Sequence, residues 1–247
     1  MTPRQINASE PPLFVTEKVT RDEWLNDREG TRPKPPPDRP VSPVFGIPHY
    51  GEMLVARATF FSRVEEAIAT GTNLDTFRWL RSRSIDPDHV TNFAGLFVET
   101  EIAALPGGIF SFSECGFSAF VITAHDRDAE TPIDFVAWTR DKPRHVYRYF
   151  AYADALGVDQ LHNPTSYFDG AGLMIRRTPL DWLSAGCAGC VILDYGDFAH
   201  RLRALDIPQC RLVGESVIHA REIKKALSPL PDNVRIFVPA PPTGAAS

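Results

Sequence analysis

Three acidic residues near the end of the chain are the first candidates for chemistry. Asp194 follows the apolar run Cys190-Val191-Ile192-Leu193, Asp197 comes one helical turn later, and Glu215 follows Arg211-Leu212-Val213-Gly214. If both runs are strands of a parallel sheet, these carboxylates fall at strand C-terminal ends, where open α/β sheets bind ligands. Carboxylates so placed could bind a divalent cation. Asp194 is the one acid squarely at a strand tip, however, and a divalent cation needs several oxygen ligands, so a reduced acidic site binds Mg²⁺ weakly.

Other residue types could also do chemistry. Cys187 and Cys190 have the spacing of half a zinc site, with Cys115 and Cys210 as distant candidates for the rest. A structural Zn site usually shows two close pairs, so reduced, buried thiols acting as small apolar residues are the plainer reading. His125, Asp126 and Asp128 form a polar group in an expected turn, where Asp serves local backbone bonding as readily as a metal. Asp134, in Pro132-Ile133-Asp134, resembles an element of metal-dependent nucleases but lacks the further acid and lysine those sites need. Arg78, Arg81 and Arg83 lie beside Phe77 and Trp79, and Arg127 sits in the polar turn. Arginines next to aromatics suit single-stranded nucleic acid, phosphate contact giving affinity and rings giving stacking. A solvated helix face with Phe77 and Leu80 turned inward is the competing account of the same residues. His200 and His219 fall on expected helices, and no glycine-rich phosphate loop, nucleophile elbow or H-E-x-x-H motif occurs.

The elements that must position these groups are legible from periodicity. Cys190 to Val238 reads as βαβαβ, with strands 190–194, 211–214 and 234–238. Phe198, Leu202 and Leu205 make one apolar helix stripe, and Ala220, Ile223 and Leu227 make the other. Short apolar runs without clear alternation fit a parallel sheet covered on both faces. Upstream, 110–138 reads as antiparallel strands, with a hairpin of Phe117 to Thr123 and Ile133 to Trp138. Three helices precede it: Glu52 to Ala69, Asp75 to Arg83, and one opened by Asp86 as N-cap with Pro87 at the first position.

The fold class expected is therefore α+β/α/β, in five parts. These are a proline-rich arm (1–48), a helical region (49–100), mixed antiparallel strands and helices (101–185), an α/β unit (186–240) and a disordered tail (241–247). Ten of the 22 prolines lie in the arm, which predicts an extended course. Its Leu13, Phe14, Val15, Trp24, Leu25 and Phe45 could dock on the domain or on a protein partner or second subunit. With 247 residues, 43% of them hydrophobic, the chain can bury a sizeable core. A net charge of −5 argues against a broad nucleic-acid-coating surface but leaves room for a local basic strip. No run approaches the roughly 20 apolar residues of a membrane span, and the N-terminus lacks the apolar core of a secretory signal, so a cytoplasmic location without membrane contact is expected.

The order of these segments resembles the catalytic core of bacterial and phage DNA primases, over residues 74 to 238. Phe77-Arg78-Trp79-Leu80-Arg81-Ser82-Arg83-Ser84-Ile85 through Phe93 is similar to the family's opening helical hairpin, with Ser84 in place of the usual glycine. Phe120 to Trp138 is similar to its β-hairpin, His162-Asn163-Pro164-Thr165-Ser166-Tyr167-Phe168 to its "YLNSPET" segment, and Gly172 to Leu183 sits where the family has a helix. The βαβαβ unit then falls where these primases carry a Toprim domain. The resemblance implies Asp194 at the position of the Toprim glutamate, and Val238-Pro239-Ala240-Pro241 where the family has Asp-x-Asp.

The resemblance thus implies a Toprim-like scaffold, of phage or mobile-element type, that has lost its metal-binding acids. It is expected to bind single-stranded nucleic acid or a replication partner through Arg78, Arg81, Arg83 and Arg127. An interaction protein working through the arm is the alternative. A metal-dependent phosphoryl-transfer enzyme using Asp194, Asp197 and Glu215 is a third reading.

Overall fold

The computed structural model describes residues 50–94, 97–205, 207 and 209–238, so the expected arm and tail lie outside the described residues. Three helices come first: α1 (Tyr50–Thr70), α2 (Thr72–Ser82) and α3 (Pro87–Ala94). Asp86 opens α3 as expected, its Oδ1 accepting the Asp88 N–H at 3.0 Å.

Five strands follow: β1 (Phe97–Leu105), β2 (Ile109–Phe112), β3 (Phe117–His125), β4 (Pro132–Trp138) and β5 (Val146–Arg148). They close into a barrel of order β1-β2-β5-β4-β3. The expected hairpin is β3–β4, with Phe120 opposite Trp138. Alternation along these strands serves two cores. Val121, Phe135 and Ala137 pack with Met53, Phe60 and Val64 of α1. Phe120, Ile122, Val136 and Trp138 pack with Leu80 of α2 and Val90 of α3.

The second sheet holds β6 (Ala155–Leu156), β7 (Leu173–Arg176), β8 (Cys190–Ile192), β9 (Cys210–Gly214) and β10 (Val234–Phe237), in the order β10-β9-β7-β8-β6. All neighbours are parallel except β6 with β8. Helices α4 (Val158–His162), α5 (Pro179–Ser184), α6 (Tyr195–Ala204) and α7 (Val217–Ala226) connect them, with a 3-10 helix at Pro164–Gly170. Trp182 and Leu183 of α5 join the barrel core on one face. Phe198 and Leu202 of α6, with Ile223 of α7, cover the other face together with Cys190 and Leu212. The chain is thus α+β, with a closed antiparallel-rich barrel beside a largely parallel, two-faced sheet.

One element departs from the expectation. The segment aligned with a primase helix begins with strand β7, which is the centre of the sheet and separates β8 from β9. The opening strand of the expected βαβαβ unit is therefore second from the edge. Its tip lies two strand spacings, about 10 Å, from the tip of β9 and about 14 Å from that of β10. Because the order reverses at β7, with β8 on one side and β9 and β10 on the other, a topological switch point falls between β7 and β9.

Candidate functional site

The sheet edge at the ends of β7, β8 and β9 collects the three candidate acids, and arginines meet two of them. Asp194 is the N-cap of α6, its Oδ1 accepting the N–H groups of Gly196 at 2.9 Å and Asp197 at 3.1 Å. Its other oxygen accepts from Arg148 Nη2 of β5 at 3.1 Å. Burial pushes this carboxyl up, but the Asp197 amide, the Arg148 charge and the Gly196 amide outweigh it, and it sits below its ordinary range. Asp197 shifts the other way, raised by burial and by the charge of Asp194.

Glu215 belongs to a different group on the far side of β7. Its carboxylate lies 3.5 Å from Arg176 Nη1, 3.9 Å from Arg177 Nε and 3.9 Å from His219 Nδ1. Arg177 also donates to Ser216 Oγ at 2.9 Å. His219 is buried in α7 and accepts the Glu215 N–H at Nδ1, and burial followed by the Arg177 charge keeps its pKa low. The acids are thus split by a strand, Asp194 and Asp197 following β8 and Glu215 following β9 on the other side of β7. Among the described residues no group of three or more His, Cys, Asp or Glu side chains is placed to hold a metal ion.

Cys187 and Cys190 pack in different cores. Cys187 faces the core shared with the barrel and Cys190 the opposite core of the sheet, so their thiols diverge. Burial raises Cys187 to about 12 and also raises Cys190, which opposes the thiolate a metal requires. The spacing instead reflects a tight entry into β8. Gly189 has φ +93°, and a Cβ there would stand 2.3 Å from the Met174 carbonyl oxygen of β7. Cys210 lies beside the Tyr167 hydroxyl, and Cys115 is exposed.

Asp134 is fully buried, and its carboxylate accepts backbone N–H groups from Phe135, Phe150, Tyr152 and Ala153 at 2.8 to 3.0 Å. It is a structural clamp on the chain leaving β5, which removes it as a metal ligand. Asp128 is similarly used at the hairpin tip, accepting from Glu130 N, Thr131 N and Thr131 Oγ1. Asp126 lies 3.6 Å from Arg201, which holds buried Asp154 through two hydrogen bonds of 2.6 and 2.9 Å. His125 borders a small cavity with Asp159 and Cys187, and burial keeps its pKa low. His200 is exposed on α6.

The basic candidates fall in two places. Arg78, Arg81 and Arg83 are exposed on and just after α2, with Arg78 held to Asp75 at 2.8 Å. Arg83 lies over the Trp79 ring at 5.3 Å, and a residue the sequence reading passed over, Arg140, lies over the same ring at 5.0 Å. Arg140 is oriented by paired hydrogen bonds to Glu99, which also accepts from Thr76 and Ser118. Burial raises Glu99, but Arg140, Ser118 and Thr76 bring it below its ordinary value. Beyond Arg140 runs an open groove of about 520 Å³ lined by Phe117, Ser118, Thr139, Lys142, His145 and Tyr147. Arg127 is exposed in the turn after β3, whose last residue, His125, lies five residues or about 17 Å along the strand from Phe120, against which Trp79 packs. The fold does not join it to the α2 group.

No family model, curated protein or solved structure matches this chain. No helix among the described residues is long and apolar enough to cross a membrane.

Proposed function

We propose that this chain is a non-catalytic, primase-like protein with a Toprim-like sheet, of phage or mobile-element type, that binds single-stranded nucleic acid or a replication partner, of which the placement of Arg140 favours the first. The observation that carries the binding reading is Arg140, which touches the ring of Trp79 and also lines the groove beyond it. Arg83, Arg140 and Lys142 thereby form one strip, and Phe117 and Tyr147, 5.8 Å apart, offer rings along it. Phosphates would follow the cations and bases would lie against the rings. Glu99 and Asp141 offset part of the charge, so affinity should be modest and strongly salt-dependent.

The non-catalytic half of the reading rests on the acids. Asp194 is committed to a helix cap and an arginine, and Glu215 stands across β7 beside two more. A phosphoryl-transfer site needs carboxylates converging on an ion.

The test is binding of a labelled single-stranded oligonucleotide to the full chain at two ionic strengths. Tighter binding at low salt is expected. No binding at micromolar protein, or indifference to salt, would remove the proposal.

A further inference from the structure

A second surface, separate from the basic strip, has features that nucleic-acid binding does not use. At the switch point Arg176 and Arg177 leave the end of the central strand on either side of Glu215. Each guanidinium carries five N–H donors. Among the described residues each commits one at hydrogen-bond distance, Arg176 Nε to the Ala188 carbonyl at 3.1 Å and Arg177 Nη2 to Ser216 Oγ at 2.9 Å. The approaches to Glu215 at 3.5 and 3.9 Å are longer than the roughly 2.7 to 2.9 Å of a charge-assisted hydrogen bond. Glu215 therefore balances charge without consuming the donors.

Apolar side chains stand exposed at the same edge. Val217 is 47% and Ile218 65% exposed at the start of α7, and Tyr195, at the start of α6, is 36% exposed. Tyr195 feels the charge of Arg177, although burial and Glu222 hold its hydroxyl above the ordinary range. An aromatic ring and two aliphatic side chains beside a pair of arginines, at the place where open sheets bind ligands, have one economical explanation.

We propose that the β7–β9 switch point binds a small phosphate monoester with an aromatic or apolar body. Arg176 and Arg177 take the phosphate oxygens, Ser216 Oγ orients Arg177, and Tyr195 with Val217 and Ile218 takes the body. Glu215 leaves the donors of both arginines available but opposes the phosphate through its own negative charge. This site is independent of the nucleic-acid reading and either can fail alone.

Calorimetric titration of the full chain with phenyl phosphate, inorganic phosphate and phenol tests it. Phenyl phosphate is expected to bind several-fold more tightly than inorganic phosphate, and phenol not at all. Arg177→Gln should weaken binding about tenfold, and Glu215→Gln should strengthen it about threefold, because one removes donors and the other an opposing negative charge. Tyr195→Ala, a substitution outside the ion pairs, should erase the preference for phenyl phosphate over inorganic phosphate. The Arg81→Ala/Arg83→Ala double variant should bind phenyl phosphate as the parent does. No heat up to about 10 mM phenyl phosphate, where even a Kd of a few millimolar would register, overturns the proposal, as does unchanged or weaker binding in Glu215→Gln. Displacement of phenyl phosphate by a 5′-phosphorylated tetranucleotide but not by its unphosphorylated twin would overturn the small-molecule assignment in favour of a strand end.

Discussion

Arg148 Nη2 stands 3.1 Å from Asp194 Oδ2, and this pair ties the last strand of the barrel to the tip of β8 in the second sheet. Arg148 also donates to the carbonyl oxygens of Ala151 and Ala153, so its guanidinium pins the chain between the two sheets as well. The acid at the tip of β8 is thus part of the joint between the two sheets. Asp194→Ala should destabilise the protein by about 2 to 3 kcal/mol, combining a lost helix cap with an unpaired, partly buried arginine. Asp194→Asn, which can still cap, should lose less. Chemical denaturation of the three proteins checks the order.

The same pair gives a pH dependence of definite sign. The folded carboxyl of Asp194 lies below its ordinary 3.8, so its contribution is complete above that value and disappears as pH falls through the lower folded value. The difference in melting temperature between wild type and Asp194→Asn should be constant near neutrality and shrink in acid below about pH 4. A gap that persists unchanged at pH 2 would show that the charge plays no part.

Asp134 should be among the least tolerant polar positions. An asparagine offers one oxygen where four amides now share two, and turns its own N–H groups toward donors. Asp134→Asn should lower stability by about 2 to 4 kcal/mol, measured by urea titration, without any loss of metal affinity.

On the basic strip, the arginines should not be equivalent. Arg78 is already paired with Asp75. Arg83→Ala should lower the salt slope of single-strand binding by about one, whereas Arg78→Ala should change it less. Equal effects of Arg78→Ala and Arg83→Ala would contradict the place of Arg83 on the strip.

The cysteines should separate by reactivity. Cys115 is exposed, while Cys187, Cys190 and Cys210 are buried with raised thiol pKa values. A thiol reagent should therefore label one equivalent quickly in the folded protein and the other three only on unfolding. Fast labelling of two or more thiols would contradict the burial of Cys187, Cys190 and Cys210.

Local features were readable in the chain because period encodes which side of an element is buried. The 3.6-residue stripe of Phe198, Leu202 and Leu205 marks α6, the Asp86-Pro87 pair marks the start of α3, and the apolar runs around the 124–131 turn mark β3–β4. What periodicity cannot carry is which strand lies beside which. Leu173–Arg176 is four residues long, too short to distinguish a strand from the start of a helix, yet it occupies the centre of the sheet. Its insertion between β8 and β9 is a pairing between residues far apart in sequence, and it alone moves Asp194 away from Glu215. The partners of those acids, Arg148, Arg176 and Arg177, follow from the same long-range packing. The sequence by itself determined α1 to α3, α6 and α7, the β3–β4 hairpin and strands β8, β9 and β10, since each depends on neighbours within a few residues. Tertiary structure decided the strand order, the closure of the barrel and whether the carboxylates converge, since these depend on contacts that no local pattern records.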